Sequence, residues 1–409
     1  MRVLILTKNF PPQSCGVGDY AFRMAEAMEA RGDSVTALTE AAQGRRDARI
    51  PILEHSLSGW KDLKPVLRII AEATPERMQL EYSGYAWGRW GVAWWLNTLL
   101  FRLRQRGIAV DIGLHETAIR MRQHPLQIPV ALAQWLHMAL FLAAADSVAL
   151  NLRSRVGVMG SVFPWWRRKL RYRPNSSNIP VWPISEEERA SLRQANGVEP
   201  GDAVIATFGM LHTAKRYEAL VAAIPLMREK RVRLWMLGDV EKAAPGYVAR
   251  LKTAAAGAGI GERVLWPGRM DACQVSRMLQ AVDVFVLPQA DGHLTRSGSF
   301  MAAAAHGLPV VAVRDRTRRD QAEFVHGKSI CFVERAGPDE FAAAMDELLQ
   351  DRAATSRLGA ELRRLYAERF DWSATMCEPA VARQPAAGAA TLESGGKAMR
   401  RAHASGVER

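Results

Sequence analysis

Short apolar runs alternate with helix-like segments along this chain, and this alternation limits its fold more than any other feature. Arg2–Thr7 is the first run, and a loop rich in glycine and proline follows it. Residues 20–31 then carry apolar side chains at helical spacing, and a second apolar run occupies Ser34–Thr39. Strand, loop, helix and strand in this order predict a parallel βαβ unit, because parallel strands need a crossover connection.

The same alternation begins again near the middle of the chain. Further strands are predicted there at Ala203–Thr207, Val232–Leu237, Val264–Trp266, Val282–Leu287, Pro309–Val313 and Ser329–Val333. Helices between them, such as Tyr217–Met227, would cover both faces of an open parallel sheet. We therefore predict an α/β protein with two such units, joined by a hinge in the proline-rich stretch near Asn175–Pro183.

Length and composition fit this organisation. The chain has 409 residues, which corresponds to two domains or three. Hydrophobic residues make up 48% and charged residues 24%, so most of the chain is expected to be globular. Near its end the chain becomes rich in alanine, glycine, serine and arginine and loses any apolar period. We predict a disordered basic tail at residues 376–409.

The charge of the chain points to polyanionic partners. The formal net charge of +13 favours nucleic acid, anionic membranes or phosphorylated small molecules. Four widely spaced cysteines exclude a disulfide-rich scaffold or a zinc ribbon and fit a reducing compartment. The opening residues show no secretory signal pattern, and the apolar stretches are shorter than the ~20 residues that span a bilayer. We expect a cytoplasmic protein, either soluble or peripheral at the inner face of the membrane.

A glycine-rich loop follows the first predicted strand and contains Gly16, Gly18, Asp19 and Tyr20. Glycine lets the backbone approach a ligand closely, and the N-terminus of the following helix favours negative charge. An equally open interpretation is a tight strand-to-helix turn in which Asp19 caps the helix. The spacing is not Gly-x-Gly-x-x-Gly, so a dinucleotide-dependent dehydrogenase is disfavoured.

Two later loops have the chemistry of a phosphate site. Gly209 follows a predicted strand, and Lys215 with Arg216 lies close to the start of the next helix. In Arg296–Ser299, a cation, two hydroxyls and free backbone amides precede an alanine-rich helix that runs to about His306. A cation and a helix N-terminus at the carboxyl end of a strand suit a diphosphate. The alternative at Lys215 is a solvated basic helix start.

In this order, the motifs resemble those of a GT-B glycosyltransferase of family 4, a group of retaining enzymes that use nucleotide-sugar donors. The resemblance covers roughly residues 1–375. It rests on an opening loop, a strand-end histidine, a segment entering the donor domain, a donor motif, a nucleoside loop, a strand–helix–strand signature and a C-terminal helix. The corresponding segments are Phe10–Tyr20, Leu114–Glu116, Asn178–Pro180, Phe208–Lys215, Val264–Gly268, Ala305–Val311 and Phe370–Trp372.

The resemblance implies two Rossmann-like domains that face each other across a cleft. Residues 1–178 would bind the acceptor and residues 179–375 the nucleotide sugar, with the last helix crossing back onto the first domain. The implied donor-binding residues are Gly16, Gly18, Gly209, Lys215, Gly268, Arg296, Ser297, Gly298 and Ser299. The implied acceptor-side residues are Asp19, Tyr20 and Glu116. The implied catalytic residues are His115, Lys215 and Arg296. No Asp-x-Asp element is positioned for a metal, so neither a metal nor another cofactor is expected.

The chain departs from the family pattern at the donor loop. Many members carry two glutamates eight residues apart, and counting back from Gly307 their positions hold Leu294 and Ala302. The arginine of the family's donor motif is Met210, and Arg296 would replace that cation. Two interpretations follow: an active transferase of polysaccharide or glycoconjugate synthesis, or a non-catalytic sugar-nucleotide-binding or assembly protein. Another enzyme of the same fold, such as a sugar-nucleotide epimerase, fits the motif order less well.

Tryptophan and arginine occur together in two stretches, which bears on the acceptor. Residues 165–173 mix indoles with cations, and four tryptophans lie within residues 87–95. This combination suits contact with an anionic membrane or a lipid-linked acceptor, stacking on sugar rings, or core packing beside a solvated basic face. No recognised nucleic-acid motif appears, so nucleic acid is not expected as a partner.

Overall fold

Two parallel sheets form the framework of the protein in a computed structural model that describes residues 1–13, 15–40, 49–117, 128–238, 245–315 and 319–376. The strands of the first sheet are β1 (Arg2–Thr7), β2 (Ser34–Thr39), β3 (Ile52–Glu54), β4 (Arg77–Tyr82), β5 (Ala109–Leu114), β6 (Ser147–Leu150) and β7 (Leu170–Tyr172). Those of the second sheet are β8 (Ala203–Phe208), β9 (Val232–Leu237), β10 (Val264–Leu265), β11 (Val284–Leu287), β12 (Val310–Val313) and β13 (Cys331–Val333).

Helices connect the strands and cover both faces of each sheet. In the first half they are α1 (Gly16–Ala30), α2 (Leu63–Ala73), α3 (Gly84–Trp87), α4 (Trp94–Gln105), α5 (Ile128–Ala144) and α6 (Arg153–Val162). In the second half they are α7 (Glu186–Ala195), α8 (Tyr217–Ala223), α9 (Pro245–Gly257), α10 (Ala272–Gln280), α11 (Gly298–Ala305), α12 (Pro338–Gln350), α13 (Arg352–Arg369) and α14 (Trp372–Met376).

The strand order of each sheet reverses direction once, and this reversal decides where a ligand can bind. The first sheet has the order β3-β2-β1-β4-β5-β6-β7, and the second has the order β10-β9-β8-β11-β12-β13. The reversals lie between β1 and β4 and between β8 and β11. In doubly wound sheets, the loops at the carboxyl ends of such neighbouring strands leave a crevice between them. The loops after β8 and β11 are the two predicted phosphate loops.

The central strands are buried on both faces because helices cover both sides of each sheet. In β1, for example, Val3 and Ile5 pack against α1, whereas Leu4 and Leu6 belong to the apolar cluster on the opposite face. The second sheet likewise separates two apolar clusters. Burial on both faces explains why these strands are continuous apolar runs in the sequence.

The prediction of two parallel α/β units is confirmed, although several boundaries differ. Helix α1 begins at Gly16, with Cys15 at its N-cap, so the interpretation of Asp19 as the cap is wrong. Asp19 lies in the first turn instead, where its negative charge interacts favourably with the positive end of the helix dipole. Strands β3, β4, β6 and β7 were not predicted. Their sequences are short or contain charged residues, such as Glu81 in β4.

The chain passes from the first half to the second at residues 173–179, close to the carboxyl edges of both sheets. Asn175 donates its backbone N–H to Thr295 O at 2.8 Å and its side-chain amide to Arg296 O at 2.8 Å. Ser177 O accepts a bond of 2.8 Å from the indole of Trp372, in the helix α14 that packs on α1. The predicted boundary at residue 178 stays a prediction, and the predicted tail lies outside the described residues apart from Met376.

Two further observations concern membrane spans and cysteines. Among the described residues, no helix combines the length and apolar character that crossing a membrane requires. Cys15, Cys273 and Cys331 are free thiols.

Candidate functional site

A cavity of about 420 Å³ lies between the carboxyl edges of the two sheets. It brings together most of the residues predicted for the site. The predicted residues that line it are Gly16, Tyr20, His115, Glu116, Lys215, Arg296, Ser297, Gly298 and Ser299. The lining residues that were not predicted are Cys15, Val17, Ser83, Asn151, Asn175, Ser176, Asn178 and Gln289. The cavity is therefore formed by both halves of the chain and by the crossover between them.

Lys215 provides a cation at the second-half wall of this cavity. Its Nζ lies 3.3 Å from Ser299 Oγ, so the loop after β8 meets the first turn of α11. Burial lowers the pKa of Lys215 to about 8, and the charge of Asp291 opposes this shift only in part. Within the described ranges, no carboxylate lies within 4.0 Å of Nζ. The Lys215 ammonium is therefore available to pair with an anion of a ligand.

Gly209 allows this close meeting of loops. Its φ is +116°, and a Cβ atom there would lie 2.4 Å from Ser299 Oγ and 2.7 Å from Lys215 Nζ. A side chain at this position would displace both groups, and the positive φ independently favours glycine. Gly209 does not line the cavity but supports the two side chains that do.

The N-terminus of α11 faces the same space. Ser297 caps the helix by accepting a 3.2 Å bond from Phe300 N, and Gly298 and Ser299 form the first turn. Unpaired backbone N–H groups at a helix start attract anions, so this end of α11 adds to the positive potential around Lys215.

Arg296 reaches the cavity but already has a partner. Its guanidinium donates to Asp291 Oδ2 at 2.7 Å. Burial alone would raise the pKa of Asp291. The hydrogen bonds from His293 and the charge of Arg296 outweigh burial and hold the pKa of Asp291 well below the usual range. An anion in the cavity would therefore compete with Asp291 for Arg296, whereas Lys215 has no such competitor among the described residues.

His115 stands at the end of β5 on the opposite wall and pairs with a carboxylate that the sequence did not reveal. Its ring Nε2 lies 2.6 Å from Glu81 Oε2, and the Glu81 side chain has no solvent exposure. The carboxylate partner is Glu81 and not the adjacent Glu116. Because Glu81 is a carboxylate, Nε2 carries the proton, and Nδ1 remains to meet a ligand.

Two further groups hold Glu81 in its charged form. Arg173 donates to Glu81 Oε1 at 3.2 Å, and Gln79 donates to the same atom at 2.7 Å. Burial alone would raise the pKa of Glu81, but the bond from His115 and the charge of Arg173 outweigh it and keep the pKa below its usual value. A buried carboxylate is stable only with such partners.

Gly113 leaves the space that this cluster occupies. Strand β5 places Gly113 beside Glu81, and a Cβ atom there would lie 2.4 Å from Glu81 Oε2 and 2.8 Å from an Arg173 nitrogen. These atoms belong to a buried ion pair and cannot move aside freely. Glycine at position 113 is therefore required by the packing of the cluster, although its backbone conformation is ordinary.

We expect Gly113→Ala to lower the free energy of unfolding by about 1–3 kcal/mol, the usual cost of overpacking a core. Gly157→Ala is the matched control, because a Cβ atom at this position in α6 meets open space. Alanine in a helix is more stable than glycine by about 0.5–1 kcal/mol, so the control should be neutral or stabilising. Urea unfolding measures both values. Equal stability of the two variants would contradict the described packing around Glu81.

Aromatic and basic groups fix the position of His115. Tyr20 meets its ring edge-on with centroids 5.1 Å apart, and the Trp372 ring packs on Tyr20 with centroids 4.9 Å apart. Burial raises the pKa of Tyr20 to about 12, so its hydroxyl stays protonated. Arg155 donates to His115 O at 2.8 Å. His115 is thus contacted by residues of α1 and α6, and α14 supports Tyr20.

Some predicted residues lie away from the cavity lining. Gly18 is buried in α1, where a Cβ atom would lie 2.7 Å from Asn9 O, so it serves the packing of the opening loop. Asp19 lies one residue further along α1. Gly268 follows the edge strand β10, two strands away from the reversal between β8 and β11. None of the three is among the residues that line the cavity in the described structure.

The departures from the family pattern are visible in the structure. Leu294 and Ala302 are fully buried apolar side chains, and Met210 is about half exposed. Within the described residues, no cluster of three or more histidine, cysteine, aspartate or glutamate side chains is arranged to hold a metal ion.

Sequence comparison finds a match to a known domain family within the second half. Residues 202–351 match the family model described as "Glycosyl transferases group 1". The curated D-inositol 3-phosphate glycosyltransferase of Segniliparus rotundus is 26% identical over 261 residues, which are 61% of this chain and 54% of that protein. The chain thus spans about half the length of this curated relative.

Solved structures resemble the whole described chain. Sucrose-phosphate synthase from Thermosynechococcus elongatus superposes with a TM-score of 0.69 at 16% identity, over 91% of this chain and 96% of that one. Anabaena Alr3699/HepE in complex with UDP also gives 0.69 at 16% identity, over 92% and 97%. The fold is GT-B. At these identities, the likeness establishes the fold alone.

Proposed function

We propose that this protein is a glycosyltransferase that moves a sugar from a nucleotide-sugar donor to a saccharide or lipid-linked acceptor in polysaccharide or glycoconjugate synthesis. The observation that carries the proposal is the meeting of Lys215, Ser299 and the N-terminus of α11 opposite His115 in one cavity. The domain match over residues 202–351 and the transferase relatives support it. We further propose a hexosyl donor, a retaining, metal-independent reaction and membership of family 4.

The second-half wall suits the diphosphate of the donor. When the anomeric C–O bond breaks, negative charge develops on the departing diphosphate and must be stabilised by preorganised cations and N–H groups. Lys215, the amides of Gly298 and Ser299 and, after exchange of its partner, Arg296 can supply this stabilisation. Alr3699/HepE, which has a similar fold, was solved in complex with UDP, and this supports a nucleotide as the ligand.

The first-half wall suits the sugar and the acceptor. With Nε2 bonded to Glu81, His115 can offer Nδ1 to a sugar hydroxyl, and Glu116 and Tyr20 lie beside it in the lining. As the acceptor oxygen bonds to the anomeric carbon, its proton passes to the departing phosphate oxygen. This step needs no separate base from the protein.

A nucleotide screen tests the proposal. Thermal unfolding is measured with UDP, GDP and ADP, and the stabilising nucleotide is then offered as its sugar conjugates in hydrolysis and transfer assays. We expect one nucleoside diphosphate to raise the unfolding temperature and one of its sugar conjugates to release that diphosphate. If no nucleotide binds at millimolar concentration, the proposed function is wrong.

A non-catalytic sugar-nucleotide-binding or assembly protein is the second candidate. The observation that favours it is the full burial of apolar Leu294 and Ala302 where many family members carry glutamates. Nucleotide binding without turnover of any donor would establish this candidate, because the phosphate wall would then be intact and the reaction absent.

The low pKa of Lys215 predicts how pH affects nucleotide binding. In the free protein, Lys215 loses its charge as pH rises through about 8, whereas a bound diphosphate keeps Lys215 protonated. We expect the affinity for the diphosphate to fall about tenfold from pH 7 to pH 9, with proton uptake on binding near pH 8.5. Calorimetry in buffers of different ionisation enthalpy measures both effects.

Lys215→Arg is the matched variant, because a guanidinium stays charged over this range. Its affinity should change little between pH 7 and pH 9. A fall of the same size in this variant would show that another group causes the pH dependence.

A further inference from the structure

One side of the first half exposes large apolar side chains along α5. This helix carries no charged residue from Ile128 to Ala144. Leu132 and Leu136, one turn apart, are 54% and 56% exposed. Helices on the surface of a globular protein normally present polar side chains to water, so this face of α5 is suited to a contact.

Neighbouring segments extend the exposed apolar surface on both sides of α5. We call the surface formed by the following residues the α5 face: Trp90, Trp94, Leu132, Leu136, Val162 and Trp165. On one side, Gln134 donates to Trp90 O at 2.7 Å, and the Trp94 ring packs edge-on against His137 at 5.6 Å. Gln134 and His137 are buried side chains of α5, so the segment that follows β4 packs against this helix and exposes Trp90 and Trp94 beside it.

Aromatic rings make the connection on the other side. Trp135 of α5 packs on Phe163 with centroids 5.8 Å apart, and Phe163 packs on Trp166 at 5.9 Å. Trp166 in turn contacts Trp165, which is 71% exposed at the end of the α5 face. Exposed indoles on either side of an apolar helix are typical of a surface that inserts at a membrane–water interface.

Arginines border the α5 face without acidic partners. The Arg89 guanidinium lies 5.4 Å from the ring centre of exposed Trp90, and Arg167 and Arg168 follow Trp165 and are exposed. In the part of the chain that the structure describes, no carboxylate lies within 4.0 Å of these three guanidinium groups. The sequence has no acidic residue between Ser83 and Val110, and between Ile128 and Arg173 it has Asp146 alone.

We propose that the α5 face docks on an anionic lipid surface. Apolar side chains and indoles would enter the interface, while the arginines would meet phosphate headgroups. A second copy of the chain fits this surface less well, because a symmetric contact would bring the unpaired arginines of both copies together. The surplus of positive charge thus favours a lipid surface over self-association.

Docking through the α5 face would bring the cavity close to the membrane. Helix α5 ends just before β6 starts, so its C-terminus lies at the amino edge of the sheet and its N-terminus at the carboxyl edge, where the cavity opens. Trp90 and Trp94 follow β4 at this same edge, and Ser83 between them and β4 lines the cavity. This part of the inference rests on the proposed function: the acceptor would be a lipid-linked saccharide that enters from the bilayer.

Vesicle co-sedimentation of the full chain tests the docking. Phosphatidylcholine vesicles with and without phosphatidylglycerol are used, at low and high salt. We expect binding to the anionic vesicles that weakens with salt. The double variant Leu132→Ser with Leu136→Ser should bind at least about tenfold more weakly, because both side chains lose their apolar burial. Arg167→Glu with Arg168→Glu should bind about thirtyfold more weakly or worse.

Two matched double variants on the second half serve as controls. Leu226→Ser with Val325→Ser removes side chains that are 51% and 53% exposed, and Arg352→Glu with Arg357→Glu makes the same change of net charge on α13. Both should bind vesicles like the unchanged protein. Nucleotide binding is measured on all four double variants and should be retained, which also shows that they fold.

Three results would overturn the docking proposal. The first is that the unchanged protein fails to bind anionic vesicles. The second is that the control variants lose binding as much as the variants of the α5 face. The third is that the protein forms a dimer that the Leu132→Ser, Leu136→Ser variant dissociates. Vesicle binding and nucleotide binding are separate readouts. A protein that binds vesicles but no nucleotide would leave the docking proposal standing and remove the proposed function.

Discussion

Replacing His115 with alanine should lower the turnover of the donor and acceptor by about 10²–10³-fold while nucleoside diphosphate affinity changes little. His115 lines the cavity on the first-half wall, whereas the groups that we propose to bind phosphate come from the second half. Losing a contact made to the sugar in the transition state lowers the rate and leaves ground-state phosphate binding intact. Initial rates and calorimetry on the same variant measure the two quantities.

A second variant separates the ring from its carboxylate partner. Glu81→Gln keeps a hydrogen-bond acceptor near His115 Nε2 but removes the charge, so it should reduce turnover less than His115→Ala and also leave nucleotide affinity in place. Full turnover of His115→Ala with a defined donor and acceptor would mean that His115 has no role in the reaction.

Lys215→Ala should weaken binding of the cognate nucleoside diphosphate by about 10- to 150-fold. A charge-assisted hydrogen bond to a desolvated group contributes roughly 1.5–3 kcal/mol, and each 1.4 kcal/mol is a factor of ten in affinity. Arg296→Ala should also weaken binding. Its effect should be the smaller of the two, because Arg296 must first give up its 2.7 Å bond to Asp291.

Arg216→Ala is the control for both variants. Arg216 is adjacent to Lys215 in sequence but exposed, and it does not line the cavity. It should bind the nucleotide as well as the unchanged protein. If Lys215→Ala and Arg296→Ala both retain full affinity, the phosphate site lies elsewhere in the protein.

The second-half wall of the site could be predicted because its chemistry is local in the sequence. Lys215, Gly209 and the Arg296–Ser299 loop each follow an apolar strand, and parallel strands carry their loops to one edge. Their meeting in space, with Lys215 Nζ near Ser299 Oγ, follows from the adjacency of β8 and β11. That adjacency depends on the strand order of the second sheet, which the residue pattern alone does not give.

The first-half wall was predicted only in part. His115 could be identified, but Glu81 could not, because it lies in β4, a strand whose charged residue obscures the apolar pattern. Its partners Arg173 and Gln79 have no local sequence signal at all. A glycine in the middle of β5 was the one available clue, since glycine in a strand often marks a close approach of another group.

The buried Glu81 cluster has a consequence for comparing related chains. Glu81 needs a cation or a donor beside it simply for the first half to fold, so a descendant without transferase activity would still be expected to keep His115 or Arg173. Burial opposes the charge of Lys215, so the fold gains little from a lysine at that position. Among relatives, the presence or loss of this lysine should therefore distinguish chains that use a nucleotide donor from those that have abandoned it.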